Sequence, residues 1–542
     1  SFSEVTQPQR LAFAAIARGE SVLLSAPTGS GKTLAAFLWA LDRLMFAPPP
    51  PTSERCRILY VSPLKALAVD VERNLQVPLA GIAQVAEQLG IDFTRPVPWV
   101  RTGDTPARER TRFLRAPADI VITTPESLYL LLTGPSRAQL KSVRAVIIDE
   151  IHVLCGTKRG AHLALSLERL QALCPQPLQR IGLSATQRPL DEVARYLGGL
   201  HRAEPGQHSA TVEATQAPQY RPVTVLESTA RKSPLLLVAT PTDSQSEATT
   251  QNGPRGPQHP APLLTGSARS SWTALYPRLL ELIRSHNSTL LFVNSRRVAE
   301  RLANALNELA EQQLVRAHHG SLAAPQRKEI EELLKSGQLR GLVATSSLEL
   351  GIDMGAIDLV LQLEAPPSVA AGLQRIGRAN HQVGGQSHGI LFPKHRTELL
   401  SCAACARAMR EGRVEATRYP KNPLDVLAQQ LVAAVTVEPT TADELFLLVR
   451  SAASFAQLPR ATFDGVLDLL SGRYPAGELS DLRPRLTWDR LSGKVSAREG
   501  ARRIAILGGG TIADRGLFGV FLATPGTAKT SSRVGELDEE MV

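Results

Sequence analysis

Aromatic residues make up only 4% of this 542-residue chain, so a binding surface built on stacked rings is not expected. Cysteines number five, too few for a disulfide scaffold and in keeping with a reducing compartment. Cys402 and Cys405 form a single CxxC with no second pair, whereas a zinc site needs about four ligands. No resident metal centre is expected. No stretch approaches the ~20 uninterrupted apolar residues of a membrane span, which excludes a membrane partner. The opening SFSEVTQPQR has no basic start followed by an apolar core, and no initiator Met. A secretory leader is therefore not expected, and the chain reads as a processed or trimmed segment. Acidic residues are in deficit, with 51 Asp and Glu against 61 Lys and Arg. The resulting charge of +10 favours polyanionic partners.

What is present is ordinary globular material, 43% hydrophobic and 21% charged, in a length that fits about three domains. Two segments alternate short apolar strands with helical patterns, the sign of parallel sheets with crossover helices. The first carries SVLLSA (21–26), RILYVSP (57–63), DIVITTP (119–125), AVIID (145–149) and RIGLSAT (180–186). The second carries TLLFVN (289–294), VRAHHG (315–320), GLVATS (341–346), LVLQLE (359–364) and HGILF (388–392). Between them PTDSQSEATTQNGPRGPQHPAP (241–262) is polar and rich in Pro, Gly and Ser, the composition of a linker. Amphipathic helical patterns follow at 422–435, 442–452 and 461–472, and 502–524 returns to β-like alternation. The expected domains are 1–225, a linker 226–272, 273–405, a helical or winged-helix unit 406–500, and from 501 the start of a truncated β-rich domain.

APTGSGKT (26–33) directly follows the first strand and opens a helical pattern. It fits the phosphate-binding loop G-x-x-x-x-G-K-[ST], with Ala26 at the first position. Backbone N–H groups over Pro27, Thr28, Gly29, Ser30 and Gly31 would cradle phosphate oxygens at a helix N-terminus. Lys32 would reach the β- and γ-phosphates, and the Thr33 hydroxyl would take one magnesium position. AVIIDEIHV (145–153) ends a buried strand in ionisable residues, which is costly unless something pairs with them. Asp149 can hold a magnesium ion bridging the nucleotide's oxygens. Glu150 can orient and deprotonate the attacking water. His152 is expected to face the interdomain side, as a relay to SAT (184–186) after the fifth strand. No LSGGQ-like segment accompanies the loop, which sets aside a transporter ATPase.

APTGSGKT, DEIH and SAT together resemble the first RecA-like domain of superfamily 2 helicases, and ATSSLELGID (344–353) with QRIGRANH (374–381) resembles the second. SPLKAL (62–67), TGD (102–104) and TTPESL (123–128) match the strand-tracking motifs of the first domain, and LFVNSRR (291–297) matches motif IV. DEIH, GLSATQRPLDEVARYLGG (182–199), HHGSL (318–322), EAPPSVAAGLQRIGRANH and RYPKNPLDVLAQQ (418–430) look like the Lhr, or large helicase-related, family over essentially the whole chain. The resemblance implies an α/β fold of two RecA-like parallel-sheet domains, a winged-helix-like domain and the start of a β-rich one. It implies an ATP- and Mg2+-dependent enzyme that moves 3′ to 5′ on single-stranded DNA and unwinds DNA or RNA–DNA duplexes, in DNA repair. A cytoplasmic location follows, nucleoid-associated if the source is bacterial.

Residue by residue, the resemblance assigns Thr6 and Gln9 to adenine reading, and Gly351 and Asp353 to the nucleotide from the second domain. Asn380 and His381 replace the usual Gly and Arg of the last motif, so the transition-state arginine is expected to be Arg378, with Arg375 as second candidate. Lys65, Thr102, Thr124, Asn294, Ser295 and Thr345 would hold the strand by its phosphates, without reading sequence. An RNA helicase or RNP remodeller, and a nucleic-acid platform with a vestigial ATP site, are the rival readings.

Overall fold

The computed structural model describes residues 4–27, 29–185, 187–202, 218–228, 234–239, 271–320, 322, 324–349, 357–380, 386–473, 482–512, 517–521 and 533–538. Seven parallel strands form the first sheet: β1 (Val22–Ser25), β2 (Ile58–Val61), β3 (Pro98–Arg101), β4 (Ile120–Thr123), β5 (Ala145–Ile148), β6 (Gln179–Ser184) and β7 (Thr224–Glu227). Their order is β3-β4-β2-β5-β6-β1-β7. The five strands expected from apolar runs are all present. The central ones are buried at every position, as a sheet covered on both faces requires.

Helices α1 (Gln7–Ala17), α2 (Lys32–Phe46) and α3 (Lys65–Gln88) cover one face of this sheet. Then come α4 (Ala107–Arg115), α5 (Pro125–Thr133), α6 (Ile151–Cys155) and α7 (Lys158–Leu173). Helices α5 to α7 pack on the opposite face. Strand residues alternate between the two cores: Val22, Leu24, Tyr60 and Ile147 point to the first, and Leu23, Leu59, Val146 and Ile148 to the second.

The second sheet is also parallel, with β8 (Leu235–Val238), β9 (Thr289–Phe292), β10 (Val315–His318), β11 (Gly341–Ala344), β12 (Leu359–Leu363) and β13 (His388–Phe392) in the order β10-β11-β9-β12-β13-β8. The stretch 226–272, expected as linker, therefore supplies the edge strand β8, and β7 straddles its start. The polar core of that stretch, 241–262, lies outside the described residues.

Beyond it three helices, Leu424–Val435, Ala442–Arg450 and Arg460–Ser471, stand beside a small antiparallel sheet of β14 (Thr440–Thr441), β15 (Leu486–Trp488) and β16 (Lys494–Ala497). Val426, Leu431, Phe446, Phe463 and Val495 of this unit share one continuous core with α5 and α7 of the first sheet. The β-like reading of 502–524 holds only in its second half. Ala501–Leu507 is a helix, with Ala501 and Ala505 buried at i, i+4 spacing. The strand β17 (Leu517–Phe521) pairs with β18 (Arg533–Asp538). Among the described residues no cysteine is in a disulfide and no group of His, Cys, Asp and Glu could hold a metal ion. No described helix is long and apolar enough to cross a membrane.

Candidate nucleotide site and strand track

The loop between β1 and α2 is shaped by its glycines. Gly31 is the N-cap of α2 at φ 83°, a left-handed conformation that glycine adopts freely. A Cβ there would sit 2.7 Å from Gln9 Nε2, so a side chain would have to displace the Gln9 carboxamide from the loop. Gln9 and Thr6 cap α1 reciprocally, and both also reach the loop: the Thr6 hydroxyl donates to the Ser30 carbonyl at 2.9 Å, and Gln9 Nε2 lies 3.5 Å from the Gly31 carbonyl. The pair assigned to adenine reading thus braces the phosphate loop. Thr28 lies outside the described residues.

Lys32 is buried, and its ammonium donates to the Ala26 carbonyl at 2.7 Å and to the Ser184 carbonyl at 3.1 Å. The loop and the end of β6 are therefore tied through one cation. A cavity of about 460 Å³ opens beside it, lined by Gly29, Gly31, Lys32, Thr33, Asp149 and Glu150 on one side and by Leu67, Val71 and Leu75 of α3 on the other. This chemistry, a glycine-rich cradle, one ammonium, one hydroxyl and two carboxylates, fits a magnesium-bound polyphosphate.

Asp149 and Glu150 are both buried at the end of β5. Burial and the adjacent Glu150 charge push the Asp149 carboxyl up to about 6, even though the Tyr60 hydroxyl and the Glu150 N–H both donate to it. Two buried carboxylates side by side invite a cation. Glu150 itself sits at φ 44°, uncommon for a side-chain-bearing residue and a form of strain found at functional sites. That twist starts α6 and aims His152 back at the site.

The His152 imidazole lies 3.4 Å from Glu150 and accepts from the Ala185 N–H at Nδ1, 3.3 Å away. Burial lowers its pKa, so the ring is neutral and its proton is on Nε2. Nε2 meets the carboxamide of Gln374, from the second-sheet unit, at 2.6 Å. A carboxamide's two ends interchange by a half-turn, and its oxygen is the end that suits this donor. Gln374 stands within the quoted QRIGRANH but was not singled out as a site residue. Its signal was the facing His of DEIH.

The two arginines separate sharply. Arg375 is buried, and its guanidinium donates to Glu349, Asn294 Oδ1 and Gln362 Oε1, with Phe292 under it at 5.3 Å. It joins three elements of one unit, so in this structure the guanidinium of the second candidate for the transition-state arginine is bonded within the second-sheet unit. Arg378 follows the helix Val369–Ile376 and donates to the Glu349 carbonyl at 2.8 Å. Burial lowers its pKa to about 10, and the Glu150 charge across the cleft acts in the opposite direction. It remains a cation. Glu150 and Arg378 thus sense each other from different sheets. Asn380 takes a left-handed φ of 49°, so the turn survives without glycine. Gly351, Asp353 and His381 lie outside the described residues.

The expected strand contacts lie at the same ends of the sheets. Thr102 and Thr124 are buried behind β3 and β4, where Thr124 caps α5. Lys65 is in an ion pair with Asp104 at 2.7 Å. In the second unit Ser295 caps the helix Arg296–Ala310, Thr345 begins a short turn, and Asn294 is engaged with Arg375 and the Ala365 carbonyl.

Three family profiles match the chain: "DEAD/DEAH box helicase" over 6–193, "Helicase conserved C-terminal domain" over 274–381, and "Large helicase-related protein, winged helix domain" over 407–542. A protein described as "Lhr helicase/ probable uracil glycosylase" from Mycolicibacterium smegmatis is 48% identical over 100% of this chain and 35% of its own length. An Lhr helicase/uracil glycosylase from Escherichia coli is 46% identical over 100% of this chain and 36% of its own length. The chain thus spans about a third of these relatives. A solved structure of Mycobacterium smegmatis helicase Lhr bound to ssDNA and AMP-PNP superposes with a TM-score of 0.81 at 49% identity, covering 97% of this chain and 62% of that one.

Proposed function

We propose, from the premise that this chain belongs to the large helicase-related family of superfamily 2 helicases, that it hydrolyses ATP to move 3′ to 5′ along single-stranded DNA. Separating DNA or RNA–DNA duplexes, in DNA repair and in the cytoplasm, belongs to the same reading. The observation that carries it is the contact of Gln374, from the second-sheet unit, with His152 at 2.6 Å, beside Glu150 at 3.4 Å, which sets residues of both sheets on one cleft.

Lys32 leaves the Ala26 and Ser184 carbonyls to meet the β- and γ-phosphates, which frees the end of β6. A magnesium ion held by Thr33 and Asp149 would offset phosphate charge. Glu150 takes the proton of the attacking water. Arg378 stabilises charge on the transferred group, a contribution of roughly 10³–10⁵ in rate for such arginines. Gln374 closes on His152 only when the two units meet, so the closed state is tied to a formed site. The bound strand of the relative supports single-stranded DNA as the track. The domain limits follow the sequence reading, with Leu235–Val238 reassigned to the second unit.

The test is unwinding of 3′-tailed against 5′-tailed duplexes, DNA and hybrid, with ATP, beside Lys32→Ala and Glu150→Gln. Unwinding confined to 3′ tails is expected. Lys32→Ala should lose hydrolysis, and Glu150→Gln should bind ATP without cleaving it. Equal unwinding of 5′ tails overturns the polarity, and absence of strand-stimulated hydrolysis overturns the function.

A further inference from the structure

Helix α4, Ala107–Arg115, carries four arginines and one glutamate in nine residues. Phe113 is its one buried side chain, stacked on Trp99 of β3 with ring centroids 4.1 Å apart and an interplanar angle of 6°. Arg110 anchors the same side by donating to the Thr105 carbonyl at 2.7 Å and the Gly103 carbonyl at 3.0 Å. These two anchors fix the helix beside the TGD loop and decide which way its other face looks.

That other face presents Arg108, Arg112 and Arg115, spaced i, i+4, i+7 and all exposed. Like charges at this spacing lower helix stability by about 0.2–0.5 kcal/mol per pair. No described residue pairs with any of the three. A helix that keeps such a row without carboxylate partners is suited to an external polyanion. The row spans about 10 Å, the length over which one strand of a duplex presents about three phosphates.

We infer that Arg108, Arg112 and Arg115 form a second phosphate-binding track, taking nucleic-acid backbone that continues beyond the interdomain groove past Thr102. The inference rests on the proposed strand-tracking function. Contact is to phosphate alone, so it adds affinity and salt dependence without sequence preference. A flanking single strand and a flanking duplex offer the same phosphate chemistry.

The test compares wild type with Arg108→Gln/Arg112→Gln/Arg115→Gln on a single strand of ~8 nucleotides, one of ~25, and a hairpin duplex with a ~8-nucleotide tail, chosen around the usual 4–16-nucleotide site sizes. The salt slope of binding should become shallower by about 2 on the long strand, at about 0.7 per phosphate contact, with about 10-fold or greater weakening near ~0.1 M salt. The short strand should bind as before, and strand-independent ATP hydrolysis should not change. The triple Arg→Lys variant should bind like wild type, since a point charge serves a phosphate. A loss on the hairpin but not the long strand assigns the track to duplex, and the reverse assigns it to single strand. An unchanged slope on both, with short-strand binding intact, overturns the inference alone. Failure of wild type to bind the short strand overturns the function as well.

Discussion

Gln374 reaches across from the second-sheet unit to the imidazole of His152 at 2.6 Å, and the same imidazole accepts the Ala185 N–H at the end of β6. A neutral ring with one donor and one acceptor joins the two units and the SAT segment in a single chain of contacts. Gln374→Ala and His152→Ala should each slow strand-stimulated hydrolysis by about 3–10-fold, the scale of one hydrogen bond, with nucleotide affinity retained. Because they break one contact, the double variant should be no slower than the worse single. Steady-state rates across the four proteins decide it; losses that add would show independent roles.

Asp149 links function to a stability cost. Its carboxyl, raised by burial and by Glu150 from 3.8 to about 6, holds its proton in the folded protein where the unfolded chain has released it. Folding stability therefore falls as pH rises from about 4 to about 6, and the loss persists above that window. Asp149→Asn keeps an acceptor for the Tyr60 hydroxyl and removes the charge. It should melt higher than wild type at pH 7, by an amount of up to about 3 kcal/mol, and hydrolyse no ATP. The gap should shrink as pH drops to about 5. Thermal melts at the two pH values check this, and a less stable Asn variant at pH 7 refutes it.

Arg375 and Arg378 should fail in different ways. Removing Arg375 leaves the Glu349 carboxylate, Asn294 and Gln362 without their shared partner, at a cost of about 3–5 kcal/mol for a broken buried pair. Arg375→Ala should melt early and lose every activity together. Arg378→Ala should stay folded and bind single strands while hydrolysis drops by ~10³ or more. Melting curves beside ATPase rates separate the two, and normal stability in Arg375→Ala would keep it among the candidates for catalysis.

The contrast marks where the sequence stops being informative. The phosphate loop and the DEIH carboxylates were legible because each is a run of adjacent residues after a continuous apolar strand. Arg375 and Arg378 lie three apart, but the helix ends at Gly377 between them, so spacing could not say that one turns inward and the other into the cleft. The edge strands β7 and β8 escaped notice for different reasons: β7 (TVLE) offers only two adjacent apolar residues, whereas β8 is the apolar run LLLV but lies beside the polar stretch read as linker, and in both alternate positions are exposed, as on a sheet edge. RRIAILG misled through its alternation; the left-handed Gly500 that starts the helix is visible only in the backbone. Gln374 needed its partner His152, 222 residues away in sequence.

The shared core between the first sheet and the C-terminal helices gives the last prediction. Gln430 is buried where Leu424–Val435 crosses α7: its amide donates to the His162 carbonyl at 3.1 Å and to Ser166 at 3.0 Å, and its oxygen accepts from Arg169 at 2.9 Å. Burial lowers the Arg169 pKa to about 10, which leaves it a buried cation at neutral pH that needs such acceptors. Gln430→Ala should cost about 2–3 kcal/mol, as expected when a charged group loses a buried hydrogen bond. The first-sheet unit and the C-terminal helices should then melt together in one transition shifted down. Ending the chain at residue 405 should do more, stripping Val426, Leu427, Leu431 and Phe446 from α5 and α7 and leaving an apolar face open to aggregation. A fragment 1–405 that stays monomeric by light scattering, with the melting point of the whole chain, would mean the two units only touch; aggregation would mean that the winged-helix side moves as one body with the first sheet.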